Sequence, residues 1–276
     1  MSIRSAAALA AAASLWASSL SAQTAPKILP SPLSFGQTFV LHSTVLGEDR
    51  RINIYLPPVY SDSPAVRLPV LYMPDGGMAE DFLHVAGLVQ VSVGNGTMRP
   101  FILVGIENTQ RRRDLTGQTT NPKDSAIAPR VGGSADFRRF IRTELMPAVN
   151  AAYRTTGETA IIGESLAGLF IVETFLLEPD LFDSYVAFDP SLWWNHAELV
   201  KTAAARIRSI GAKPKSVYLA ASRDDIDGFT GQLAILLDQN APKTLKWFYD
   251  PMPEESHATI YDPASIRAVR RLFKPD

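Results

Sequence analysis

Ile161-Ile162-Gly163-Glu164-Ser165-Leu166-Ala167-Gly168-Leu169-Phe170 is a short apolar run that turns through small residues into an amphipathic helical pattern. A serine at the tip of so sharp a strand-to-helix turn exposes its hydroxyl, and the backbone N–H groups that open the helix point at whatever it attacks. Small neighbours are required because the turn brings backbone against backbone, and Gly163 and Ala167 meet that need. The match to G-x-S-x-G is partial, since Ala167 stands at the last glycine and Gly168 follows one place later. On its own this stretch also fits a plain glycine-flanked helix start, so the rest of the chain has to decide.

The 276 residues are 46% hydrophobic, enough for one sizeable core, and the length suits a single domain over 37–276. A formal net charge of -1 gives no basic footprint for nucleic acid, and no polybasic cluster marks a membrane surface. Small molecules are the expected partners, and the sequence leaves oligomeric state open. Arg4 followed by the alanine- and leucine-rich stretch Ala6 to Trp16 reads as a signal peptide over 1–22, cleaved near Ala22. The apolar run is shorter than a bilayer span, so stable membrane insertion is not expected and the mature chain is expected to be periplasmic or secreted. Zero cysteines fit an exported chain whose core holds without disulfides. Residues 23–36, rich in proline, read as an extended lead-in.

Beyond the lead-in, Phe39 to Val45 and Arg51 to Leu56 alternate around Gly47-Glu48-Asp49 and predict an antiparallel hairpin. Leu68 to Met73 and Phe101 to Ile106 are continuous apolar runs, as strands covered on both faces require. Ser134 to Tyr153 has helical spacing, with Ser134 as cap. Strands are then expected at Thr159 to Ile162, Ser184 to Phe188, Ser216 to Ala221 and Thr244 to Tyr249. Helices are expected at Leu166 to Leu177, Ala197 to Ile210, Gly228 to Gln239 and Pro263 to Phe273. This alternation predicts an α/β class fold, a mostly parallel central sheet with an antiparallel N-terminal hairpin and helices on both faces. Asn108 to Gly133 is the longest stretch without a periodic pattern, and it leaves from a strand's carboxyl end, where such sheets bind ligands.

A serine hydroxyl needs a general base, and the base needs a third group to fix its tautomer. Of His42, His84, His196 and His257, only His257 falls after the last strand and before the final helix, the place a serine-acid-histidine order demands. His196 reads as structural, His42 as a surface residue, and His84 as a candidate pocket residue. The acid is expected just after Ser216 to Ala221, where Asp224 is preferred over Asp225 and Asp227. Asp227 is placed to cap the next helix. Asp189, Glu255 and a dyad with no acid stay open. An oxyanion hole needs two backbone donors. Leu166 supplies one, and Gly77, in Asp75-Gly76-Gly77-Met78, is preferred over Gly76 for the other. Trp193 and Trp194 could hold a substrate ring or cap the core. Arg113, in Gln110-Arg111-Arg112-Arg113-Asp114, could attract an anion or stay solvated. No H-E-x-x-H occurs and the histidines are scattered, so no metal is expected.

Leu71-Tyr72-Met73-Pro74-Asp75-Gly76, Val104-Gly105-Ile106-Glu107-Asn108-Thr109 with Arg113-Asp114-Leu115-Thr116, the elbow, Pro190-Ser191-Leu192-Trp193-Trp194 and Ser256-His257 together resemble the "Putative esterase" branch of the α/β hydrolases, over about Phe39 to Phe273. That branch includes esterase D and the trilactone siderophore esterases. The resemblance implies cofactor-free hydrolysis of carboxylic esters, with Ser165 as nucleophile and His257 as base; it does not fix a substrate, and phenolic or siderophore-type esters are the first expectation. Two positions depart from the branch: Glu164 replaces the usual histidine before the serine, and Ala167 replaces glycine. An acyltransferase on the same site and a non-catalytic binding module are the alternatives.

Overall fold

The computed structural model describes residues 29–275. The signal peptide expected over 1–22 and residues 23–28 of the lead-in lie outside them. The chain divides into two units, 1–34 and Phe35–Asp276; the described part of the first, residues 29–34, carries no helix or strand.

Eight strands form one sheet: β1 (Gln37–Ser43), β2 (Glu48–Tyr55), β3 (Leu68–Met73), β4 (Ile102–Ile106), β5 (Thr155–Glu164), β6 (Ser184–Phe188), β7 (Lys215–Ser222) and β8 (Leu245–Met252). Their order is β1-β2-β4-β3-β5-β6-β7-β8. β1, β2 and β4 pair antiparallel, and every pairing from β4 through β8 is parallel. The principal helices are α1 (Phe82–Gly94), α2 (Ser134–Phe140), α3 (Met146–Ala152), α4 (Leu166–Leu177), α5 (Trp194–Arg208), α6 (Phe229–Asn240) and α7 (Tyr261–Leu272). This is the α/β-hydrolase fold.

The period-2 pleat splits the continuous apolar strands into two cores. Val70, Tyr72, Val104, Ile161, Tyr185, Val217 and Leu219 face the layer of α2 to α6, where Phe137, Phe140, Phe170, Val200 and Leu233 pack. Their alternates Leu71, Met73, Leu103, Ile162, Val186, Phe188 and Tyr218 face α1 and α7, against Phe82, Val85, Val89, Ala268 and Phe273.

α1 has no counterpart in the sequence expectations. Its valines and glycine give it poor helix propensity, and only the buried set Phe82, Val85, Ala86, Val89 reveals the helical spacing. α4 is buried all round, from Leu166 to Leu176, because it lies against β5 and β6 with α5 over it; its expected amphipathic face does not exist. Ser134 is not the cap of α2: the cap position falls on Gly133, and Ser134 is buried in the first turn. Between α2 and α3 the chain makes a π-helical turn, Ile141–Leu145, two residues before Pro147, which has no N–H to donate.

The stretch 108–133 is held in place by charge. Arg50 is fully buried, and its Nη1 donates to Asp114 at 2.6 Å and Glu48 at 2.9 Å while its guanidinium lies 5.2 Å from the Phe137 ring. Arg113 joins the same network through Asp114 at 2.6 Å and Glu48 at 2.7 Å. Arg113 is therefore a strut between β2 and the stretch, and it offers no free guanidinium to an anionic substrate. Trp194 is likewise structural: it is 4% exposed and its Nε1 donates to the Gly117 carbonyl at 2.9 Å. Asn195 adds a second clamp, accepting the Thr120 N–H at 2.9 Å and donating its own to Asp124 at 2.7 Å.

Candidate active site

β5 ends at Glu164, and Ser165 bridges it to α4 with φ 61 and ψ -121. A serine tolerates that conformation only under constraint, at a cost of about 1–3 kcal/mol. The constraints are visible. The Ser165 N–H donates to the Phe188 carbonyl at 3.0 Å, and its carbonyl accepts the Leu169 and Ser191 N–H groups at 2.8 and 3.1 Å. A Cβ on Gly163 would lie 2.7 Å from the Ala167 Cβ, and one on Gly168 would lie 3.0 Å from the Phe188 carbonyl oxygen. Gly163 thus admits the alanine that replaces the motif's last glycine, and Gly168 lets α4 lie against the end of β6.

The turn after β8 carries His257 over the serine. Its Nε2 is 3.0 Å from the Ser165 Oγ, and its Nδ1 is 3.1 Å from Asp189 Oδ2. The acid at Nδ1 is therefore Asp189 at the end of β6, not Asp224 after β7. Asp189 takes φ 38, a region aspartate enters more readily than most residues, and its side chain is 2% exposed. Its carboxylate also accepts the Ser222 N–H at 2.6 Å and the Ser222 hydroxyl. Burial pushes this carboxyl up, but the bonds from His257 and Ser222 outweigh it and hold Asp189 below its ordinary value. The Asp189 hydrogen bond in turn raises His257 above the usual imidazole range, against the effect of burial.

The other carboxylates have other tasks. Asp224 accepts the His257 backbone N–H at 2.9 Å and so fixes the loop that carries the ring. Asp225, rather than the expected Asp227, caps the start of α6 by accepting the Thr230 N–H at 3.1 Å and hydroxyl at 3.0 Å. Glu255 accepts the Thr259 hydroxyl at 2.6 Å. Of the remaining histidines, His42 is exposed and 2.7 Å from Asp49, and His196 is exposed at φ 57. His84 packs edge-on against Tyr261, centroids 4.9 Å apart, with Nε2 3.2 Å from Asp262.

Leu166 opens the 12-residue α4 directly after Ser165, so its N–H has no partner within the helix. Gly77 differs from expectation: its N–H donates to Glu80 Oε2 at 2.7 Å. Gly76 is also occupied, donating to the Ile106 carbonyl at 3.0 Å, and a Cβ there would lie 2.3 Å from Gly105 Cα. Gly76 therefore serves the close approach of β3 and β4. Trp193 is partly buried, packed against the core and tilted 57° to Trp194 with centroids 6.0 Å apart.

Glu164 lies beside Ser165, and its Oε1 is buried with no hydrogen-bond partner among the described residues. Burial pushes its carboxyl up to about 7, and His257 nearby offsets part of that rise. Asp75 is held by Arg111 through Nε at 2.7 Å and Nη2 at 2.8 Å. Among the described residues no three histidine, aspartate or glutamate side chains are grouped to hold a metal ion, and no helix is long and apolar enough to cross a membrane.

Comparison with known proteins places this chain in a family. The family described as "Putative esterase" matches residues 43–261. The ferri-bacillibactin esterase BesA of Bacillus subtilis is 26% identical over 261 residues, covering 83% of this chain and 87% of that protein. The siderophore triacetylfusarinine C esterase of Aspergillus fumigatus is 30% identical over 199 residues, covering 65% of this chain and 64% of the other. An IroE-like serine hydrolase from Shewanella oneidensis superposes with a TM-score of 0.77 at 30% identity, over 87% of this chain and 80% of its own. The chain accordingly belongs to the "Putative esterase" family of the α/β-hydrolase superfamily and is a carboxylic ester hydrolase.

Proposed function

We propose that the protein is an exported serine esterase that works through an acyl-enzyme on Ser165. The observation that carries this reading is the line Ser165 Oγ to His257 Nε2 at 3.0 Å and His257 Nδ1 to Asp189 at 3.1 Å. His257 takes the hydroxyl proton as Ser165 attacks the ester carbonyl, and Asp189 stabilises the imidazolium that forms. The Leu166 N–H and the positive end of α4 face the oxyanion. His257 then returns its proton to the departing alcohol, and a water deprotonated by the same ring releases the acid. The ring is 47% exposed, so water reaches it without a conformational change. Gly77 can serve as second donor only after Glu80 releases its N–H.

Siderophore-type esters are the proposed substrates, because the relatives that cover most of this chain are named for them. Export rests on the N-terminal sequence pattern alone, and the single-domain reading on the one compact unit from Phe35 onward. Incubation of the mature chain with a fluorophosphonate probe and short aryl esters tests the mechanism. Wild type is expected to label and to hydrolyse, and Ser165→Ala to lose both by at least ~10³-fold. Labelling that survives in Ser165→Ala would place the nucleophile elsewhere.

A further inference from the structure

Where β6 and β7 end side by side, one hydrogen bond is not called for by strand pairing. β6 ends at Phe188, and the next N–H, that of Asp189, still donates to the Ala220 carbonyl at 2.9 Å. The Asp189 carboxylate then continues the ladder, its Oδ1 accepting the Ser222 N–H at 2.6 Å. That bond answers a backbone donor that burial would otherwise leave unpaired. The Ser222 hydroxyl has no such ladder role. It donates to Oδ2 of the same carboxylate, the oxygen that lies 3.1 Å from His257 Nδ1.

Ser222 is also tied to the loop that carries the histidine. Its Oγ accepts the Asp224 N–H at 3.0 Å, and the Asp224 carboxylate accepts the His257 backbone N–H at 2.9 Å. Between them, Arg223 donates to the Glu254 carbonyl at 2.9 Å. A closed circuit results, from the His257 ring through Asp189 Oδ2, Ser222 Oγ and Asp224 back to the His257 backbone. Ser222 is 7% exposed, so water does not compete for its hydroxyl. An oxygen that accepts two donors divides its negative charge between them, and each bond is weaker than it would be alone.

We propose that Ser222 is a positioning residue of the ester reaction: its hydroxyl holds Asp189 Oδ2 in line with the His257 ring and, by sharing that oxygen, limits how tightly the protonated ring is bound. The assignment rests on the serine-esterase reading and concerns how its base is kept free. A ring held too firmly to its own proton cannot take one from Ser165 near neutral pH. Burial pushes Asp189 up while the bonds from His257 and Ser222 bring it down, and the Asp189 bond raises His257. Without the hydroxyl, Asp189 Oδ2 should bind the ring more strongly, because the Ser222 N–H still holds Oδ1 in place. His257 would then rise further, and the acid limb would move to higher pH, opposite to the effect of removing the carboxylate charge. The other charged groups acting on the pair are Glu164 at the end of β5 and Asp224 and Asp225 after β7, with Tyr249 of β8 beside Asp225. Glu164, pushed up by burial to about 7, titrates in the same range.

The test is the pH profile of kcat/KM for a neutral aryl ester, with active sites counted by fluorophosphonate labelling. In Ser222→Ala the acid limb is expected to rise by about half a pH unit or more, which at pH 6 is a loss of about threefold relative to the variant's own plateau. Ser222→Thr retains the hydroxyl and should retain the wild-type limb. Ser222→Cys, whose thiol is a weak donor, should move the limb in the direction of Ser222→Ala and serves if the alanine variant does not fold. The displacement should keep its size in a Glu164→Gln background. A limb that stays in place or falls when the hydroxyl is removed, one that moves as far in Ser222→Thr, or a displacement that vanishes with Glu164→Gln overturns the assignment, and labelling at Ser165 would leave the esterase reading standing. A wild type that neither labels nor hydrolyses removes that reading and this assignment with it.

Discussion

Asp189 is the residue whose role depends most on three-dimensional register. Phe188 pairs with Ala220, which brings the ends of β6 and β7 side by side, and the positive φ at Asp189 turns its carboxylate under His257 and onto Ser222. Both strand ends carry aspartate, and sequence order alone cannot say which one the ring meets. Asp224 sits one loop away and holds the backbone of the same histidine. The two substitutions should therefore separate. Asp189→Asn is expected to lower kcat/KM by about 10²–10⁴-fold, since it removes the acceptor that fixes the tautomer. Asp224→Asn is expected to cost less than about tenfold, because it loosens a loop without touching the ring. The pH profile carries a further sign. Protonated His257 cannot accept the Ser165 proton, so activity falls as pH drops through the histidine's value, which the Asp189 bond raises. The acid limb of Asp189→Asn should therefore move to lower pH in its residual activity, and an unmoved limb would mean that Asp189 does not set it. Ser165 and His257 meet at 3.0 Å, and both were candidates in the sequence because each lies next to an element boundary with a strong local signal. Gly77 shows the opposite case: its turn was legible, but the side chain three residues on, Glu80, decides whether its N–H is open.

At the level of elements, the stretch 108–133 behaves as part of the scaffold. Its anchors are spread from Glu48 to Asn195, so no local pattern in the sequence announces them. α1 was invisible for a related reason, since its helicity comes from burial against β3 and β4 and not from propensity. The buried network makes two outcomes measurable. Asp114→Asn leaves Arg50 buried with half its charge unanswered, and is expected to cost about 3–5 kcal/mol in denaturant unfolding. Glu48 is held at about 2, below its ordinary 4.5, chiefly by the Arg113 hydrogen bond. A depressed carboxylate stabilises fully above its unfolded value and loses that contribution as pH falls through its folded one. The stretch should therefore loosen between about pH 4.5 and 2. Glu48→Gln should flatten that part of the stability curve, and an unchanged acid transition in this variant would place the sensitive group elsewhere.

Across the whole molecule the charge is polarised along the strands. The carboxyl ends carry Asp75, Glu80, Asp81, Glu164 and Asp189, whereas the amino ends of β6 to β8 border a groove of about 950 Å³ that is lined with cations. There Arg99 is paired with Glu158, and Lys215 with Asp183 at 3.4 Å. Lys246, Arg270 and Arg271 have no carboxylate partner among the described residues, and Arg271 lies 4.5 Å from the Phe248 ring. An eight-residue strand such as β7 spans roughly 26 Å, more than two Debye lengths of about 10 Å at 0.1 M salt. The basic end is therefore screened from the site and should leave the ester reaction itself untouched. It should still act on surfaces. Despite a net charge of -1, the protein is expected to be retained on a cation exchanger at low ionic strength, and to hydrolyse a neutral ester while bound. Lys246→Glu with Arg270→Glu should elute at lower salt with kcat/KM for that ester unchanged. Retention that resists the double substitution would show that the binding charge lies elsewhere, and loss of activity on binding would mean that the two ends of the sheet are not independent.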